Sequence, residues 1–312
     1  MRRSLRLSGI AAAALGLASG LWVVFSGPAA GPPTPNPAGG NTVTDGTGRI
    51  VSVVGRPERI VSTAPAMTEI LFAVGAGPRV VGVTTQDDFP PDVAGIAKVG
   101  GFGPNVLKLE VVLGLRPDLV VSAGGFMQPT VDALAKTGVP VYAAEPATFA
   151  ALAQTIRDLG TLTDCAAEAG GVATGLTSRV RAVAARAEGR AGPKPTVLVV
   201  IDADRLIVAG PPTFLGQMVA LAGGANALAG TEVEGKHYPA ISDELVLRAQ
   251  PTFILVPGGT GAAAVLARRP GWHTLDAVTA GRVRPVPESL VSRPGPRLVD
   301  GLEAVAAVLR GD

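Results

Sequence analysis

EVVLGLRPDLVVSAGG, residues 110–125, and ELVLRAQPTFILVPGG, residues 244–259, align position for position at an offset of 134 residues. Each copy opens with a glutamate and runs through apolar residues at helical spacing to a proline, Pro117 or Pro251. An uninterrupted apolar run follows and ends in a glycine pair, Gly124-Gly125 or Gly258-Gly259. Proline stops a helix and restricts the residue before it, and an apolar run without alternation suits a strand covered on both faces of a parallel sheet. The unit is helix, stop, buried strand and turn, and it occurs twice. In an open α/β sheet ligands bind beyond the carboxyl ends of the strands, where both glycine turns fall. A glutamate in a first helical turn is favoured by the helix dipole alone. At matched points of two units, however, Glu110 and Glu244 form a pair of contacts that a pseudo-symmetric or dimeric partner with basic residues can grip.

The flanking sequence carries the same alternation. RIVSVV (49–54) and RIVST (59–63) read as strands, PAMTEILFAV (65–74) as a helix, RVVGV (79–83) as a strand, PTVDALAKT (129–137) as a helix and VPVYAA (139–144) as a strand. A second series begins at Pro195 with TVLVVID (196–202), RLIVAG (205–210), TFLGQMVALAGG (213–224), GAAAVLARR (261–269) and RVRPVP (282–287), and closes with a helix from about Pro296 to Leu309. Strands and helices in that order predict α/β architecture with mainly parallel sheets, in two lobes. Between them Phe149, Leu152, Ile156, Leu159, Leu162, Val172, Leu176, Val180 and Val183 recur at spacings of three and four, which predicts a long helical connector with breaks near Asp164 and at Gly170-Gly171. The expected divisions are 49–147 for the first lobe, 148–190 for the connector and 191–312 for the second lobe.

Composition narrows the function. The 312 residues are 47% hydrophobic and carry a net charge of +2, but Arg2, Arg3 and Arg6 lie at the amino end, and the remaining 24 basic and 25 acidic residues leave −1. A nucleic-acid surface is not indicated. One cysteine, Cys165, and two histidines, His237 and His273, exclude an intrachain disulfide, a cysteine-rich zinc site and a multi-histidine cage. Three arginines followed by the uncharged run Ile10–Phe25 have the layout of an export signal over residues 1–26, removed or retained as an anchor. No cysteine follows that run, so a lipid-anchored form is not expected. From 27 to 48, 11 of 22 residues are glycine or proline, which reads as a flexible tether.

With these features in place, residues 49–312 resemble the cobalamin-binding members of the periplasmic binding proteins that serve iron-siderophore, haem and cobalamin ABC importers. The resemblance rests on RIVSTAPAMTEILFAVGA (59–76), VVGVTTQDDFPPDV (80–93), VGGFGPNVLKLEVVLGLRPDLVV (99–121), LIVAGPPTFLGQMVALAGGANALA (206–229) and YPAISDELVLRAQPTFILV (238–256). It implies two Rossmann-like lobes joined by a rigid backbone helix, with a ligand clamped between them. It further implies that Glu110 and Glu244 salt-bridge arginines of a dimeric permease, and that Ala64, Pro65, Ala66, Met67, Thr68 and Glu69 form the first cleft loop. Phe102 and Tyr238 fall where large aromatics meet the corrin, Arg293 on an arginine that reaches ligand polar groups, and Gln86, Gly124 and Gly125 line the same cleft. Three departures stand out: Gln86 replaces an aromatic, Ala123 and Leu290 replace tryptophans, and Lys108 replaces a capping polar residue before Glu110.

The function implied is a non-enzymatic, exported, monomeric binding component that carries cobalamin or a related corrinoid to an ABC permease, with no cofactor of its own. Haem or a ferric siderophore is the alternative ligand, with His237 as a candidate axial ligand. A more distant alternative is an exported α/β enzyme using Gly259-Thr-Gly261-Ala-Ala-Ala264 for a nucleotide cofactor, although no acidic residue follows at the spacing that would take a ribose.

Overall fold

A computed structural model describes residues 40–258 and 261–311, all within one compact unit. The leader read over 1–26, the tether as far as residue 39, and the Gly259-Thr260 part of the nucleotide-type loop lie outside the described residues.

β1 (Gly40–Thr44) and β2 (Ile50–Val54) pair as an antiparallel hairpin, which corrects the reading of 27–48 as tether throughout. The Asp45 carboxylate holds the turn together. It accepts from the amides of Thr47 and Arg49, from the Thr47 hydroxyl and from the Arg49 guanidinium at 2.9 Å. Val51 and Val53 face the core from β2. A glycine-rich composition concealed an Asx-type turn that side-chain hydrogen bonds stabilise.

The first parallel sheet contains β3 (Ile60–Ser62), β4 (Val80–Val83), β5 (Ala97–Lys98), β6 (Leu119–Ala123) and β7 (Val141–Ala144), in the order β5-β4-β3-β6-β7. Its helices are α1 (Pro65–Ala73), α2 (Leu109–Gly114) and α3 (Gln128–Ala135). The connector follows as α4 (Phe149–Leu162) and α5 (Ala166–Glu188). The second sheet runs β10-β8-β11-β12, from β8 (Thr196–Asp202), β9 (Ile207–Val208), β10 (Ala225–Asn226), β11 (Phe253–Pro257) and β12 (Val283–Val286), with β9 antiparallel on β8. Around it lie α6 (Phe214–Leu221), α7 (Asp243–Ala249), α8 (Gly261–Ala267), α9 (Asp276–Thr279), α10 (Glu288–Val291) and α11 (Leu298–Arg310).

The internal repeat is structural. β11 is β6 displaced by 134 residues, and α7 begins 134 residues after α2. Both helices are followed by a non-glycine residue in the left-handed region, Arg116 at φ 49° and Gln250 at φ 43°, each directly before its proline. Such a residue costs about 1–2 kcal/mol, and its recurrence shows that the chain needs the same sharp exit from helix to strand in both units. The strand order β4-β3-β6-β7 is likewise repeated as β10-β8-β11-β12.

Alternation along the strands explains the layering. Ile60, Leu119 and Val121 face one core while Val61 and Val120 face the outer cluster with Val112, Val131 and Leu134. In the second sheet Val197, Val199, Phe253 and Leu255 join the same central core, and Leu198, Val200, Ile254 and Val256 face an outer cluster around Trp272. The two sheets therefore share one continuous core, filled by α1, α4, α5, α6 and α11.

The connector is a helix-turn-helix. Asp164, at φ 56°, breaks it as the sequence predicts, and the buried Arg79 reaches the Thr163 carbonyl at the end of α4 as well as the Pro57 carbonyl. The expected break at Gly170-Gly171 is absent, because α5 runs unbroken for 23 residues. The stripe of Ala169, Ala173, Leu176, Val180 and Val183 is buried in the central core, and that packing outweighs the roughly 1 kcal/mol per glycine. Among the described residues no helix is long and apolar enough to cross a membrane.

Candidate ligand-binding site

The carboxyl ends of the first sheet deliver a connected row of side chains. After β4, the Gln86 side-chain oxygen accepts from the Phe102 amide at 2.8 Å. Phe102 packs edge to face on Phe126 with ring centroids 5.0 Å apart. Phe126 follows the Gly124-Gly125 turn after β6 and is 53% exposed. Gly125 sits at φ 57°, and a Cβ there would overlap the Glu145 carboxylate, so the turn needs glycine on two counts. Glu145 stands at the end of β7, and its charge, after burial, helps push the Tyr238 phenol above its ordinary pKa. Tyr238 comes from the second sheet's side and is 56% exposed.

At the other end of the row the second lobe contributes two arginines. Arg293, just past α10, forms a fork with the Asp88 carboxylate, with one contact at 3.2 Å, and approaches the Gln86 carbonyl at 3.5 Å. Hydrogen bonding to Arg293 holds Asp88 below the usual carboxylate range, against a smaller opposing effect of burial. Arg297 forks onto Glu69 of α1 at 2.6 and 2.9 Å, and its guanidinium lies 3.8 Å from the centre of the Phe89 ring. Elsewhere between the sheets, Gln217 of α6 donates to the Ala147 carbonyl at 2.5 Å, and Phe149 meets Phe214 edge to face at 5.6 Å.

Of the residues predicted from sequence, Gln86, Phe102, Gly124, Gly125 and Arg293 are brought together, and Tyr238 of the second lobe feels the charge of Glu145. Ala64, Pro65, Ala66 and Met67 are all buried. Ala64 and Met67 belong to the central core. The Arg293–Arg297 segment covers this loop, bringing Gly295 against Glu69 and the Ala66 carbonyl. His237 is exposed, and its carbonyl accepts from the Gly210 amide at 2.7 Å. Among the described residues no group of three His, Cys, Asp or Glu side chains is placed to hold a metal.

Phe126, Asp88 and Arg297, which the sequence reading did not single out, join the row, and Glu69, read as the end of the first cleft loop, pairs with Arg297. Phe126 had a signal, since it directly follows a glycine turn at a strand's carboxyl end. The ion pairs had none, because their partners lie more than 200 residues apart.

The matched glutamates sit on exposed first turns at the same helical position. Lys108 does not displace the start of α2. Its amide donates to the Val99 carbonyl at 2.9 Å and fixes the helix without a side-chain cap. α7 is more heavily anchored. Ser242 caps Leu245, while Asp243 accepts from Arg269 at 2.6 and 3.1 Å and from the buried Trp272 indole at 2.7 Å. Arg269 is a positioning residue for the helix that carries Glu244.

A family model described as periplasmic binding protein matches residues 60–290. An ABC transporter substrate-binding lipoprotein of Bacillus subtilis, YvrC, is 30% identical over 277 residues, covering 87% of this chain and 86% of its own. The crystal structure of the periplasmic vitamin B12 binding protein BtuF of Vibrio cholerae superimposes with a TM-score of 0.71 at 26% identity, over 81% of this chain and 97% of its own. A periplasmic haem-binding protein from Pseudomonas aeruginosa does so with a TM-score of 0.70 at 29% identity, over 82% and 94%. Two pseudo-equivalent α/β sheets on a shared core, a helical connector and a row of side chains at the strands' carboxyl ends thus accompany a match across most of the chain, which belongs to the periplasmic binding protein family.

Proposed function

We propose that this chain is the exported substrate-binding component of an ABC importer and that it holds cobalamin or a related corrinoid between its two sheets. The observation that carries this reading is the connected row Arg293, Gln86, Phe102 and Phe126, with the exposed Tyr238 from the second lobe. Aromatic faces bury a flat macrocycle, and the hydrogen-bonding groups at one end of the row suit its polar rim. Kinship with the vitamin B12 binding protein of Vibrio cholerae supports the same ligand class. Gln86, Phe102, Gly124, Gly125, Tyr238 and Arg293 are the contacts we assign, and the protein works as a monomer without chemistry of its own.

Delivery proceeds through Glu110 and Glu244, which present one carboxylate per lobe to basic residues of a dimeric permease. Export uses the leader at residues 1–26, cleaved or kept as an anchor.

Haem is the second reading, favoured by the exposed His237-Tyr238 pair and the likeness to the Pseudomonas aeruginosa haem-binding protein. Calorimetric titration of residues 40–312 with cyanocobalamin, hemin and a ferric hydroxamate decides between them. One-to-one cobalamin binding supports the first reading. A hemin signal with a Soret band that changes in His237→Ala or Tyr238→Phe, without cobalamin binding, replaces it.

A further inference from the structure

The ionic contact between the lobes has two parts of unequal strength. The Glu69 side chain is 2% exposed and takes both arms of Arg297. The Asp88 side chain is 65% exposed and takes both arms of Arg293. Breaking the first strands a buried charge, whereas breaking the second returns a carboxylate to water at little cost.

The charges around these arginines do not balance. Arg293 lies 3.8 Å from Glu69 and also feels the charge of Asp87. Asp87 is buried, with one carboxylate oxygen taking the amide and hydroxyl of Thr84 and the other without a hydrogen-bond partner. Glu69 and Asp88 pair directly with the two guanidinium groups, the buried Asp87 adds a more distant negative charge, and Asp88 alone of the three reaches water. Arg293 also touches the Gln86 carbonyl, and the Gln86 side chain holds the Phe102 amide, so this exchangeable ion pair stands at the end of the aromatic row.

We propose that Asp88 occupies, on Arg293, the place of an anionic group of the bound ligand, and so sets the charge selectivity of the cleft. A carboxylate or phosphate at the rim of the ligand displaces Asp88 into solvent and takes over the guanidinium fork, leaving the local charge count unchanged. A neutral ligand gains nothing from this exchange. A second anion added with Asp88 still in place meets an excess of negative charge. The inference rests on the tetrapyrrole reading above, which it deepens by naming the group that Arg293 recognises.

The test compares wild type with Asp88→Asn in two measurements. Without ligand, hydrogen exchange in Asp88→Asn is expected to quicken at Gln86–Phe89 and Ser292–Gly295 while the amides of α1 keep their protection. With ligand, the affinity ratio between a porphyrin dicarboxylate and its diamide is expected to rise about two- to five-fold, the scale of one exposed ion pair removed as competitor. Unchanged exchange in both segments overturns the exchangeable contact, and an unchanged or lowered ratio overturns the displacement. If wild type binds cyanocobalamin but no porphyrin, the same ratio is read between cyanocobalamin and dicyanocobinamide, which lacks the phosphate, and an unchanged ratio overturns the displacement. If it binds none of these, the tetrapyrrole reading falls with the displacement, and the exchange data alone still decide whether Asp88 holds the loop.

Discussion

Glu69 on α1 and Arg297 at the threshold of α11 are 228 residues apart in sequence and 2.6 Å apart in space. Their fork ties the first helix of one lobe to the last helix of the other, beside Gly295, which packs on the Glu69 side chain. Because Glu69 is almost wholly buried, losing its partner leaves a charge that water cannot reach. Arg297→Ala is expected to lower unfolding free energy by about 3 kcal/mol, measured by urea denaturation, whereas Asp88→Ala on the exposed pair is expected to cost no more than about 1 kcal/mol. Equal losses would contradict the division into a buried and an exposed pair.

Phe126 is the exposed member of an edge-to-face pair with Phe102. If the row it completes buries a macrocycle, Phe126→Ala is expected to weaken ligand binding about 5- to 20-fold, corresponding to roughly 1–2 kcal/mol, with little change in melting temperature because the ring is not in the core. Calorimetry with the ligand found for the wild type provides the check.

Glu110→Ala combined with Glu244→Ala is expected to leave ligand affinity within about two-fold while vesicle transport with the cognate permease falls by at least ten-fold, since both side chains stand on exposed first turns away from the aromatic row. Arg269→Ala acts on the same surface indirectly. It frees Asp243 and is expected to destabilise the second lobe by about 2 kcal/mol, reducing transport through the loss of α7 order rather than of charge. Rescue by Arg269→Lys is expected to be partial, because an ammonium lacks the fork.

Asp45 introduces a pH dependence. Burial by itself raises its pKa, but hydrogen bonds from Thr47 and Arg49 outweigh it and hold the group below the ordinary value of 3.8. A depressed carboxylate contributes stability that is fully present above the unfolded-state pKa and is lost as pH falls through the lower folded-state value. The stability difference between wild type and Asp45→Asn is therefore expected to be constant from pH 7 to about 5 and to shrink below about pH 4, in denaturant titrations at fixed ionic strength. A difference that grows on acidification would reverse the sign.

How far the sequence could be read depended on the range of the interaction. The repeat at offset 134 located β6 and β11, the helices before them and the equivalent first-turn glutamates, because helix periodicity, a proline stop and an apolar strand are written within 16 contiguous residues. The glycine turns followed from the same unit. The first strand and turn of the hairpin, at 40–48, were read as tether because Asp45 stabilises the turn through side-chain bonds that composition does not display, whereas its second strand was legible in RIVSVV. The unbroken α5 was misread because glycine's local cost is offset by a buried stripe visible only once the lobes pack.

The sequence by itself determined the two-lobe α/β architecture and the surface glutamates, since both follow from local patterns that repeat. Tertiary structure decided which side chains line the cleft. It brought Gly295 against Glu69 and the Ala66 carbonyl and placed Phe126 on Phe102. It also set Arg293 against Asp88 and Arg297 against Glu69. Charge pairs between residues more than 200 positions apart carry no periodic signature, and only the closing of one lobe on the other brings their partners within reach, whereas Phe102 and Phe126 meet within the first lobe.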